Sequence, residues 1–216
     1  MADMLRAVAI PIDQALGQSS EEQALVAELC AGSEDAFAYL MTLYRNPIYN
    51  LAYHILGNDS DAADVLQNVM VKIVRGIKQF HGESSLKTWV LRIAFHEASN
   101  FRRSWFRRRR RETCSLDDAS PESASVAETI AGTGKTPYEA LELSERREQV
   151  QRALRSLSEP YRTAVVLREM EGLTYEEVAA VLGVAEGTVK SRLMRGREML
   201  RRKLRGALQT STINRV

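Results

Sequence analysis

The sequence predicts an all-α protein: two helical domains joined by a flexible acidic linker. Apolar residues recur at helical spacing along most of the 216 residues, and no convincing run of strand alternation appears. Charge comes in blocks although the formal net charge is only +2. Arg102 to Arg111 holds seven arginines, and Glu112 to Glu145 holds eight acidic residues against the single Lys135. Gly172 to Leu204, GLTYEEVAAVLGVAEGTVKSRLMRGREMLRRKL, reads as a helix-turn-helix.

Residues 1–20 read as a short leader. It holds one arginine and is broken by Pro11, so it lacks the sustained apolar core of a signal peptide. The first domain is expected over 21–111. Glu21 to Ala31 forms its first helix, stopped by Gly32. A second helix runs from Ser33 to Leu56, with Phe37, Leu40, Met41, Tyr44, Ile48, Leu51 and Ile55 on its buried side and Pro47 expected to bend it. Gly57 ends this helix, and Asn58 to Ser60 can cap the next.

The third helix runs from Asp61 to Gln79. Val65, Leu66, Val69, Ile73 and Ile77 face inward, while Asp61, Asp64, Asn68, Lys72 and Arg75 form an outward polar stripe. On spacing alone that stripe is a solvated face. After His81 to Ser84 a fourth helix starts near Ser85. Leu86, Trp89, Val90, Ile93 and Ala94 pack, and Arg92, His96, Asn100 and Arg103 form an exposed stripe leading into the arginine run. Trp105 and Phe106 lie between arginines, a mixture suited to phosphates and stacked, unpaired bases.

Residues 112–137 lose periodicity and are rich in Ser, Ala, Thr, Gly and acids, which marks the linker. The second domain is expected over 138–206. Its first helix begins near Tyr138 and closes with Ala153, Leu154 and Leu157; a second, capped by Ser158 with Pro160 in its first turn, spans Tyr161 to Met170. Thr174 and Glu177 then form a capping box. Val178, Ala179 and Leu182 are apolar, and Gly183 supplies the turn. The last helix starts near Glu186, where Ala185 offers no side-chain cap, a loss of about 1 kcal/mol. Val189, Leu193, Leu200 and Leu204 share its packed face, with Gly196 allowing close approach; Lys190, Ser191, Met194, Arg195 and Arg202 face outward. That is the layout of a helix offered to a major groove. Residues 207–216 are read as a polar tail.

The remaining motifs carry little. Gly132 to Thr136, GTGKT, resembles a phosphate-binding loop, but Thr129 stands where the loop's first glycine belongs and no strand precedes it. His96-Glu97 lacks the second histidine of a zinc-protease motif, since position 100 is Asn. Cys30 and Cys114 lie far apart with no histidine cluster, so a metal is not expected and a reducing, cytoplasmic setting fits. No segment approaches the roughly 18 apolar residues of a membrane span. No cofactor and no catalytic constellation are expected. On the residues alone two readings stay open beside any other: a helix-turn-helix regulator binding a palindromic operator as a dimer, and a helical protein whose basic segments bind RNA.

The segments Asp61 to Val74 and Phe80 to Phe95 resemble the second conserved region of bacterial sigma factors of the extracytoplasmic-function (ECF) group, and Ala153 to Leu204 resembles their fourth region. The likeness covers roughly residues 21 to 108 and 138 to 206. It implies sites as well as a function: an alternative sigma factor that binds core RNA polymerase at its clamp and flap regions, reads promoter DNA, and is controlled by an anti-sigma factor that can hold it at the membrane. Asp61, Asp64, Gln67, Asn68 and Lys72 would dock on the clamp coiled coil. Ser84, Ser85, Lys87, Arg92, His96, Asn100 and Arg103 would bind the non-template strand of the −10 element, with Asn100 at the pocket for a flipped base. Thr188, Lys190, Ser191, Arg192, Met194 and Arg195 would meet the −35 element, with Arg192 and Arg197 nearest the flanking phosphates. Asn68 stands where the family usually has glutamate, and His96 where it often has asparagine.

Overall fold

A computed structural model describes residues 20–112 and 137–213, with side chains over 20–108 and 144–205. The leader, most of the linker (with Cys114 and the GTGKT motif) and the last three residues lie outside the described residues. Helices α1 (Ser20–Ala31), α2 (Glu34–Leu56), α3 (Asp59–Gly76) and α4 (Leu86–Glu112) make the N-terminal unit, with a 3-10 turn at Ile77–Gln79. Helices α5 (Pro137–Arg155), α6 (Glu159–Val165), α7 (Tyr175–Leu182) and α8 (Glu186–Ile213) make the C-terminal unit. Among the described residues there is no strand.

Local signals set most boundaries. Ser33 accepts a hydrogen bond from the Ala36 amide at 3.2 Å, and Gly57, at φ 75°, turns the chain out of α2. Asn58 caps α3 through the Asp61 amide at 3.1 Å. Helix α2 is the hub of the N-terminal unit: Ile48, Leu51 and Ala52 are fully buried between α3 and α4. Each large apolar side chain sealed there contributes about 1.5–3 kcal/mol. On α3, Val65, Val69 and Ile73 line the inner face as expected.

Several expectations are corrected. Met41 is exposed, because it sits at the edge of the α2 apolar stripe where α3 and α4 do not reach. Leu91, off the expected α4 stripe, is fully buried. Ser158 begins α6 but makes no side-chain cap. The helix expected to run to Met170 changes pitch after Val165: Val166–Met170 forms a π-turn in which the Glu171 amide bonds to the Val166 carbonyl at 3.0 Å. The extra residue buries Val165, Val166 and Leu167 together, a consecutive run that one α-helical face cannot hide. It also brings Arg168 to the Leu173 carbonyl at 2.6 Å and over the Tyr175 ring. Helix α8 continues through Gly206 to Ile213, so 207–213 is helix and not tail.

The two units pack directly on one another. Their buried side chains form one connected cluster from Leu29 to Leu204, and α4 meets α7 while α2 meets α6.

Candidate nucleic-acid interface

The reading helix is built by three local devices. The Thr174 hydroxyl accepts from the Glu177 amide at 3.2 Å while the Glu177 carboxylate accepts from the Thr174 amide at 2.8 Å, the reciprocal capping box. Gly183, at φ 64°, makes the left-handed turn that a side chain would oppose. The Ala185 carbonyl then opens α8 by accepting from the Thr188 amide at 2.9 Å, without a side-chain cap.

One face of α8 is fixed. Val189, Leu193 and Leu200 are buried, and Gly196 lies so close to α6 that a Cβ there would stand 2.8 Å from Val165 Cγ2. The other face is open. Lys190, Ser191, Met194 and Arg195 are all exposed, Met194 by 65%. Thr188 and Arg192 are half-buried at its margins. Lys190 pairs with Glu186 one turn back at 2.6 Å, and the Ser191 hydroxyl donates to the Thr188 carbonyl at 2.9 Å. Arg195 touches the Tyr161 hydroxyl only at 3.5 Å, which leaves most of its donors free. Arg197 differs from expectation: Glu169 holds its guanidinium at 2.8 and 2.5 Å, so it braces α8 against the π-turn rather than reaching outward.

The second basic surface lies along α4, a rod of 27 residues spanning about 40 Å. His96, Asn100 and Arg103 are exposed in a row and Arg92 is half-buried beside them. Arg103 donates to the Asn100 carbonyl oxygen at 2.8 Å, orienting the amide. Trp105 and Phe106 are exposed and meet edge to face at 5.2 Å. At the other end of α4, Ser84, Ser85 and Lys87 are half-buried, not open as expected. Ser85 bonds to Glu177 of α7, and Lys87 donates to the Glu171 carbonyl at 2.5 Å.

The third surface is the outer face of α3. Asp64, Gln67, Asn68 and Lys72 are exposed, and Asp61 is half-buried. Burial and the neighbouring Asp64 raise the Asp61 carboxyl above its ordinary value. Lys72 pairs with Glu97 of α4 at 2.5 Å. Val71 and Val74 are also exposed here, by 47% and 53%, and give this polar face an apolar component that sequence reasoning missed. Both fall outside the inward register of Val69 and Ile73, and that register could have revealed them.

Among the described residues no group of three metal-binding side chains occurs, and no helix is long and apolar enough to cross a membrane. His54 is buried, while His81 and His96 are exposed and apart.

A helix-turn-helix with an open basic face, packed behind a helical bundle whose longest helix carries a second basic stripe, defines a two-module nucleic-acid-binding protein. Residues 40–112 match the Sigma-70 region 2 family and residues 147–200 match Sigma-70, region 4. The ECF RNA polymerase sigma-E factor of Haemophilus influenzae is 34% identical over 189 residues, covering 88% of this chain and 98% of that one. The ECF RNA polymerase sigma factor SigW of Bacillus subtilis is 31% identical, covering 81% of this chain and 91% of that one. A solved structure of the sigma factor RpoE in complex with the anti-sigma factor NepR from Bartonella quintana is similar with a TM-score of 0.59 and 27% identity, covering 78% of this chain and 96% of that chain. The chain belongs to the ECF RNA polymerase sigma factors.

Proposed function

We propose that the three surfaces divide the work of promoter-specific initiation. The α3 face with Asp61, Asp64, Gln67, Asn68 and Lys72 docks on core RNA polymerase. The α4 end and stripe (Ser84, Ser85, Lys87, Arg92, His96, Asn100 and Arg103) capture the −10 strand. Thr188, Lys190, Ser191, Arg192, Met194 and Arg195 read the −35 duplex. The observation that carries this reading is the α8 face: four adjacent exposed donors or soft apolar groups opposite a wholly buried one, the geometry that a major groove requires. The chain performs no catalysis of its own and works in the cytoplasm. The similarity to RpoE bound to NepR supports control by an anti-sigma factor that covers the same faces.

Transcription with purified core polymerase on a library of promoter fragments tests the proposal. Specific transcripts should require both components. Operator binding by the chain alone, with no transcripts, would point to a polymerase-independent regulator instead.

Two residue-level results are expected. Arg195→Ala should weaken binding to the selected −35 sequence by about 1–3 kcal/mol, while leaving scrambled duplex nearly unaffected. An equal loss on every sequence would make Arg195 a phosphate contact. Asn100→Ala should slow open-complex formation, followed by permanganate footprinting, more than it weakens closed-complex binding, because capturing an unstacked base offsets a few kcal/mol of unstacking. Equal losses in both would remove Asn100 from the base pocket.

A further inference from the structure

The N-terminus of α4 is an anion-binding end, and the chain fills it with its own carboxylates. First-turn amides have no partner within the helix and carry the positive end of its dipole. Glu22 of α1 accepts from the Leu86 amide at 2.8 Å. Glu177 of α7 reaches the same end from the other unit, and its Oε1 accepts from the Ser85 and Thr88 hydroxyls, each at 2.9 Å. Beside them Lys87 is drawn to the Glu171 carbonyl at 2.5 Å. Two hydroxyls, an ammonium and a helix N-terminus are the groups that hold a nucleic-acid phosphate. Here the helix-end amide is engaged by Glu22 of α1, and the two hydroxyls and the ammonium are engaged by α7 or by the turn before it.

A second seam closes the opposite side of the contact. Arg102 of α4 pairs with Glu159 of α6 at 3.1 Å. Arg155 of α5 lies over the Tyr53 ring of α2, 5.5 Å from its centre, and donates to its hydroxyl. The exposed face of α8, by contrast, lies outside both seams.

We propose that the free chain latches itself closed through Glu177, whose carboxylate takes the Ser85 and Thr88 hydroxyls at the start of α4 and so blocks the −10 strand while the −35 face stays open. This rests on the −10 assignment above and adds to it an order of events. The closed chain can meet −35 duplex, and only separation of the two units frees Ser85 and Lys87 for single-stranded DNA.

Glu177→Gln in the full chain is the discriminating variant. Glutamine still serves in a capping box, so α7 keeps its start, but the negative charge at α4 is gone. Spin labels at the exposed positions Lys78 and Glu198 report the separation of the units. The parent should give one narrow distance distribution, and Glu177→Gln a broad, longer one. Affinity for a single-stranded thymidine oligonucleotide should rise about tenfold, the scale of one charge-assisted contact. That gain should vanish when Lys87→Ala is added. Thr88→Val, which keeps the buried shape and removes one bond to Glu177, should lengthen the distance distribution in the same direction by less.

A broad distribution in the parent, unchanged distances in Glu177→Gln, opening without the gain in oligonucleotide binding, or a gain that survives Lys87→Ala would each overturn the latch. Failure of the −10 assignment shows up separately, as polymerase-dependent transcripts that are indifferent to Lys87 and Asn100.

Discussion

Gly196→Val should destabilise the C-terminal unit by about 3 kcal/mol and abolish −35 binding. The first added carbon alone would sit 2.8 Å from Val165 Cγ2, and Tyr161 closes the other side with its carbonyl 3.4 Å away. Val165 is fully buried, and Tyr161 is held in the turn that begins α6, so neither can withdraw cheaply. Overpacking of this kind costs about 1–3 kcal/mol, and valine adds two methyls beyond the clash. The reading face would lose its orientation along with its support. A thermal midpoint within about 2 °C of the parent, or unimpaired −35 affinity, would show that α8 does not depend on this approach.

The second large effect is a pair of opposed pH dependences at the contact between the units. His54 of α2 is buried against α5 and α6, and burial together with Arg162 and Arg155 holds its imidazole down at about 3. Its Nδ1 lacks a hydrogen-bond partner, as suits a neutral ring that shares its site with two guanidinium groups. Once the units unfold it regains a value near 6.5, so stability falls as pH drops below that point. Glu171 behaves in the reverse sense. Burial raises its carboxyl from 4.5 to about 7, and the attraction of Lys87 does not outweigh burial. Its contribution is whole below its unfolded value and is lost as pH rises through its folded one.

Between pH 4.5 and 6.5 the two slopes, each at most about 1.4 kcal/mol per pH unit, oppose one another. Relative to the parent, His54→Gln should lose stability as pH rises through this window, and Glu171→Gln should gain it. By pH 8 the Glu171→Gln variant should have gained up to about 3 kcal/mol on the parent compared with pH 4. Urea unfolding across this range measures both. Variant and parent curves that stay parallel would mean that neither group is buried in its neutral form in solution.

What could be read in advance was whatever the chain writes within a few residues of itself. Thr174 with Glu177, Gly183, Asn58 and Ser33 act on amides or turns no more than three or four positions away, so their patterns were complete in the sequence. The outward faces of α3 and α8 followed from the same helical period. The pairs that hold the units together are of another kind. Ser85 and Glu177 lie 92 residues apart, and Lys87 and Glu171 lie 84 apart. No spacing rule links such residues, and an acidic linker between them says nothing of which faces meet. The π-turn escaped because three consecutive apolar residues fit a buried helix equally well. Met41 and Leu91 escaped because both lie at the margin of a stripe, where the neighbouring helix and not the period decides burial.

Glu177 carries two duties on one carboxylate: Oε2 finishes the start of α7, and Oε1 holds α4. A residue so employed is poorly placed to drift, since any change that adjusts the grip between the units also disturbs the helix-turn-helix. Ser85 and Lys87 are bound in the same way by the part in strand capture proposed for them. The freedom to make the closed state tighter or looser over evolutionary time therefore falls to Tyr53, Arg155, Arg102 and Glu159, whose contacts cross between the units without touching the cap of α7. Lineages that need a readier or a more reluctant factor should differ first at those four positions, with the cap of α7 left untouched.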